Sequence, residues 1–141
     1  ERVASINVGR VAATSFIYKN HLLVAGGCDS RVINAVNIDA SDFQWNESTQ
    51  IKLPYECTSL QSTIYQERVS IFCACGKSHH CAELCLTQPY PCKLLCKVPK
   101  PARKAYALLK IEHKILILGG QSMDTFNLLD SVLEFDLITT K

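Results

Sequence analysis

His21-Leu22-Leu23-Val24-Ala25-Gly26-Gly27 and Lys114-Ile115-Leu116-Ile117-Leu118-Gly119-Gly120 are one phrase written twice: an apolar run closed by a glycine doublet. A worn third copy, Val69-Ser70-Ile71-Phe72-Cys73-Ala74-Cys75-Gly76, lies between them. Aligned on Gly27, Gly76 and Gly120, the copies stand 49 and 44 residues apart. Self-similarity at such a period marks a repeat architecture, with one supersecondary unit per copy. Near-continuous apolar runs such as Ile115-Leu116-Ile117-Leu118 predict strands buried on both faces. Glycines at a strand end permit positive φ and close backbone approach.

Further positions fall into the same register. Arg10 precedes Gly26 by 16 residues, and Arg103 precedes Gly119 by the same 16; the middle copy has Ser59 there. A polar stretch of variable length follows the glycines. A third strand then ends in Ile38-Asp39 and in Phe135-Asp136, with Leu86-Thr87 as the worn version. Trp45 stands six residues after Asp39, and Leu53-Pro54 and Val98-Pro99 close the two complete units.

Together these features resemble the kelch repeat, across residues 8 to 141. Cys75 replaces the first glycine, Thr87 the Asp and Lys93 the Trp, so the middle unit departs furthest. The resemblance implies four-stranded antiparallel blades of a β-propeller. The expected fold is all-β, a partial propeller with unit one at 8–54, a degenerate unit two at 55–99 and an incomplete unit three at 100–141. Strands are expected at Val11–Tyr18, Leu22–Ala25, Ala35–Ala40 and Phe43–Ile51. The second set is Leu60–Tyr65, Val69–Ala74, Glu83–Thr87 and Lys93–Lys97, and the third Tyr106–Ile111, Lys114–Leu118 and Val132–Leu137. The third Trp would fall at position 142, one past Lys141. A propeller closes with roughly 4–8 blades, so open sheet faces and self-association are expected.

Composition narrows the function. Lys and Arg number 15 against 13 Asp and Glu, a net +2, with no basic run to suit nucleic acid. No apolar stretch approaches a membrane span. The start, Glu1-Arg2-Val3-Ala4-Ser5, has no initiator Met or signal-peptide pattern, so the chain is expected to be part of a longer protein. Its eight cysteines fall below the roughly 8–10% of disulfide scaffolds, and 48% hydrophobic residues supply a core without staples. Reduced thiols in the cytoplasm are expected. Asn46-Glu47-Ser48 is a glycosylation sequon, a three-residue match that arises often by chance.

The densest polar cluster is Cys73, Cys75, His79, His80, Cys81, Cys85, Cys92 and Cys96. A zinc site would draw four of these as ligands, but no pair of Cys-x-x-Cys knuckles is present. The repeat places Cys73, Cys85 and Cys96 in strands as small buried hydrophobes. No Gly-x-Ser-x-Gly, His-Glu-x-x-His or phosphate-cradling loop occurs. Cys28 follows the first doublet without an identified base. Asp39 and Asp136 occupy one repeat position and are expected to form turns. Arg10 and Arg103 are likewise equivalent and are expected either to make polar contacts between blades, the favoured reading, or to point to the ligand face.

Neither catalysis, a metal nor a cofactor is therefore expected. The resemblance implies a protein-interaction scaffold, for example the substrate-binding part of a ubiquitin-ligase adaptor. Partner contacts are expected in the loops after the glycines: Asp29, Ser30, Arg31 and Asn34; Lys77, His79 and His80; Gln121, Asp124 and Asn127. Two other readings are a propeller enzyme such as a copper radical oxidase, for which no Tyr and His set can be placed, and a zinc-stabilised interaction domain.

Overall fold

The computed structural model describes residues 5–6, 8–27, 30–57, 59–75, 78–87 and 91–139. Among these every regular element is a strand. The first sheet orders β1 (Thr14–Tyr18), β2 (His21–Ala25), β3 (Ser30–Asn37) and β4 (Asn46–Cys57) as they occur in the chain. The second does the same with β5 (Ser59–Tyr65), β6 (Arg68–Cys75), β7 (Ser78–Cys85) and β8 (Cys92–Lys97). Then come β9 (Arg103–Lys104), β10 (Ala107–Ile111), β11 (Lys114–Leu118), β12 (Gln121–Ser122) and β13 (Val132–Asp136). Strands β10, β11 and β13 form a three-stranded sheet, while β9 and β12 pair as a short ribbon. All pairings are antiparallel.

The first hairpin of each of the three larger sheets turns on two residues. Tyr18 pairs His21, Tyr65 pairs Arg68 and Ile111 pairs Lys114. The first turn residue has positive φ each time: Lys19, Gln66 and Glu112. Short turns of this kind match the twist of the flanking strands. The side chains differ, so this repeat shows in the backbone alone.

Of the apolar runs, that of β6 is buried on both faces, whereas in β11 Ile115 and Ile117 are buried and Leu116 and Leu118 only half-buried, which corrects the expectation for that strand. In β6, Val69, Ile71 and Cys73 enter a core shared with Phe16, Leu23, Ala25, Ile33 and Leu53 of the first sheet. The intervening Phe72 enters a second core with Tyr106, Ile115, Ile117 and Phe135. The middle sheet is thus packed on both sides. Thr14 Oγ1 and Ser62 Oγ, 2.6 Å apart, join the first pair of sheets. Phe72 meets Phe135 edge-on at 5.6 Å between ring centres, across the second pair.

Two strand expectations are corrected. The third strand starts earlier than Ala35 and Glu83, at Ser30 and Ser78, leaving Ile38-Asp39 in a turn and Leu86-Thr87 past β7. The fourth runs to Cys57, so Leu53-Pro54 lies inside β4. Register shifts against β3 absorb the extra residues, and Pro54 is tolerated because β4 is the outermost strand of its sheet.

The doublets and arginines form one device used twice. A Cβ on Gly27 would lie 2.8 Å from the Val11 carbonyl, and one on Gly120 2.8 Å from that of Lys104. With φ of +79° and +100°, only glycine suits either place. Arg10 Nη1 donates to the Gly26 carbonyl and its Nη2 to Asn34 Oδ1. Arg103 Nη1 donates to the carbonyls of Gly119 at 3.0 Å and Ser131 at 3.1 Å, and Nη2 to Ser131 Oγ at 3.1 Å. These bonds stay within one unit, while the Arg103 charge also reaches His79 of unit two.

Candidate functional site

Those of the residues expected to meet a partner that are described lie on β3, on β7 and on β12 with the turn after it. Asp29 and Lys77, like Cys28, lie outside the described residues. Ser30 opens β3, and its Oγ accepts from Val32 N at 3.1 Å. Arg31 is exposed, with Nε donating to the Leu53 carbonyl at 2.8 Å. Asn34 is buried as the acceptor for Arg10. These residues were expected in a loop and are in a strand.

His79 and His80 lie on β7, on opposite faces of the middle sheet. His80 stacks on Tyr55 of the first sheet, ring centres 5.3 Å apart. His79 is buried, with Nε2 3.0 Å from the Tyr106 hydroxyl. That hydroxyl donates to the Phe72 carbonyl at 2.8 Å, so it accepts from His79, and Nε2 carries the hydrogen. The chain of three groups ties the middle sheet to the segment before β10. Burial, with Arg103 and His80 nearby, holds the His79 imidazole down at about 4, and it is neutral at pH 7.

This predicts acid sensitivity. Unfolded, the imidazole titrates near its ordinary 6.5; folded, near 4. Between those values the unfolded chain holds the extra proton, so stability is full above pH 6.5 and falls as pH drops towards 4. The loss should reach roughly 3 kcal/mol. Burial lowers His80 as well, with the same sign. Urea midpoints measured across this window should slope downward with acid. The His79→Gln chain should lose most of that slope.

The expected third loop presents a side-chain surface. Gln121 and Ser122 form β12, and a turn follows. Ser122 Oγ accepts from the backbone N–H of Asp124 and of Thr125, both at 3.2 Å. Gln121 Nε2 donates to the Phe126 carbonyl at 2.7 Å. Backbone bonds Phe126 N to Ser122 O at 3.0 Å, Ser122 N to Asn127 O at 2.9 Å and Leu129 N to Gly120 O at 2.8 Å complete the loop. So bound, it presents Phe126 at 63% and Leu128 at 86% exposure, with Asp124 and Asn127 exposed beside them. Lys104 Nζ stands 5.2 Å from the centre of the Phe126 ring. Gln121, Asp124 and Asn127 are thereby brought together. Phe126 lay within the expected loop, residues 121–127, but was not singled out, and Leu128 was missed, although apolar residues in a polar stretch after a glycine doublet were the available signal.

Among the described residues, no group of three or more His, Cys, Asp or Glu is placed to hold a metal ion. Among the described residues there is no helix long and apolar enough to cross a membrane. Asp136 Oδ1 accepts from Ile138 N at 2.7 Å and Thr139 N at 3.0 Å, a turn-forming role.

No protein-family model matches this sequence, and no curated protein does either. Among solved structures, the chain is similar to that of YjhT, with a TM-score of 0.80 at 12% identity. The match covers 98% of this chain and 52% of that one, so the chain spans about half the length of the structure it resembles. At this identity the likeness concerns the fold.

Proposed function

We propose that this chain is part of a kelch-type β-propeller and serves as a non-catalytic scaffold that binds a protein partner. The stacked antiparallel sheets support the propeller reading, as does the arginine-to-glycine device repeated in units one and three. The observation that carries the binding reading is the loop after Gly120, whose backbone is held by internal bonds while Phe126 and Leu128 stand in solvent. Ordering a loop beforehand lowers the entropy lost on binding, and exposed aromatic and aliphatic anchors suit a protein surface. The family resemblance suggests the substrate-binding part of a ubiquitin-ligase adaptor, working in the cytoplasm.

The test compares proteins retained by the full chain and by a Phe126→Ser, Leu128→Ser variant, using quantitative mass spectrometry. Loss of two apolar anchors should deplete the specific partners by roughly tenfold or more. An identical set at equal abundance would remove the loop from consideration and, with it, the argument for this surface.

The outer faces support self-association as a second property. On the third sheet, Leu109 and Ile111 of β10 and Val132 of β13 are exposed around half-buried Leu116 and Leu118. On the first sheet, Ile17 is exposed beside half-buried Leu22 and Val24.

A further inference from the structure

Cys81 on β7 and Cys96 on β8 face each other directly across the ladder. Opposed residues in antiparallel strands have Cα atoms about 4.5–5.5 Å apart. This lies within the roughly 4.4–6.8 Å that a disulfide spans. The two thiols are hydrogen-bonded, with Cys81 donating and Cys96 accepting. Their surroundings differ. Cys81 is sealed in the core between the second and third sheets. Cys96 lies on the outermost strand of its sheet, half open to solvent. The bond from Cys81 holds the Cys96 thiol below the usual thiol range, at about 7. The same bond and burial push Cys81 up.

The other described thiols lack this combination. Cys57 and Cys73 are both buried, which denies a solvent oxidant access. Cys85 is reachable, but its partner across the ladder is Arg68. Cys92 is opposed by Leu84, and burial pushes its thiol up to about 11.

We propose that Cys96 and Cys81 form an oxidisable dithiol in which Cys96 attacks a peroxide and Cys81 resolves the product to a cross-strand disulfide. The Cys96 thiolate takes the distal oxygen of hydrogen peroxide. An S–O bond forms, the O–O bond breaks, and hydroxide leaves, to be protonated to water. The Cys96 sulfenic acid no longer carries the charge that held the Cys81 proton. Cys81 sulfur then attacks the sulfenic sulfur, the S–O bond breaks, and the departing hydroxyl leaves as water with the Cys81 proton. Two thiols and one peroxide become one disulfide and two waters.

The test treats the reduced full chain with stoichiometric hydrogen peroxide, alkylates the remaining thiols and digests with trypsin without reductant. Cys96 falls in the peptide Leu94–Lys97, and Cys81 in Ser78–Lys93. The two should be recovered joined, minus two hydrogens, with fragmentation placing the bond at Cys81. A Cys96→Ser chain should show no disulfide to Cys81, and in a Cys81→Ala chain a dione probe should trap sulfenic acid at Cys96. A bond from Cys96 to Cys85 or Cys92 would overturn the proposal. So would oxidation of Cys85 under conditions that leave Cys96 a free thiol. Both readouts come from the parent chain, so they stand even if a variant fails to fold.

Discussion

A chain carrying Leu109→Lys and Val132→Lys should run as a single small species in light scattering, where the parent forms a larger assembly. The two open faces are the halves of a contact already made inside the molecule. Leu116 and Leu118 occupy the places that Leu23 and Ala25 occupy in the first unit, and those two are buried against the second sheet. Leu22 and Val24 occupy the places of Ile115 and Ile117, which are also buried against the second sheet. The front of the third sheet therefore suits the back of the first in another copy, a head-to-tail contact that forms rings or open chains according to its rotation. Two lysines placed on the third-sheet side of such a contact must be desolvated without partners. Parent and variant of equal mass in solution would mean that these faces do not associate.

Phe72→Ala should be the most damaging single substitution in the middle sheet. The ring is fully buried, meets Phe135 edge-on, and its own carbonyl receives the Tyr106 hydroxyl. Truncating such a ring costs about 3–5 kcal/mol, from lost transfer energy and the cavity left behind. Domains of this size are stable by about 5–15 kcal/mol, so the variant loses a large share of its stability. Leu128→Ala removes a comparable apolar side chain from an exposed loop and should stay within about 0.5 kcal/mol of the parent. Denaturant midpoints measured side by side read both. A Phe72→Ala midpoint close to that of Leu128→Ala would mean that the third sheet does not rest on the second as described.

Where backbone and core agree with local pattern, the sequence was readable. The runs before Gly26 and Gly119 are strands that each send alternate residues into a core, Leu23 and Ala25 into one and Ile115 and Ile117 into the other, and the shared offset of Arg10 and Arg103 marks a bond to the first glycine of each doublet. The third strands were placed too late because Arg31, Asn34, His79 and His80 look like loop residues. Each is accommodated by a group distant in sequence: Leu53, Arg10, Tyr106 and Tyr55. A local window contains none of these partners. The opposition of Cys81 and Cys96 was hidden for a related reason. It depends on the β7–β8 register, which shifts beside Cys81. Leu128 was overlooked, and Phe126 not singled out within its loop, because exposure depends on the backbone bonds that hold the loop.

In the two four-stranded sheets, strands pair in the order in which they occur. A ribosome delivers strands in that same order, so the first sheet has all its strands once residue 57 has emerged, and the second once residue 97 has. Pairing between sequence neighbours closes short loops, the arrangement that lets folding keep pace with synthesis. The middle sheet then has one face packed and the other, with Phe72 and Cys81, bare until β10, β11 and β13 arrive. Translation through residues 98–136 is thus the interval in which the nascent chain most needs a chaperone's cover.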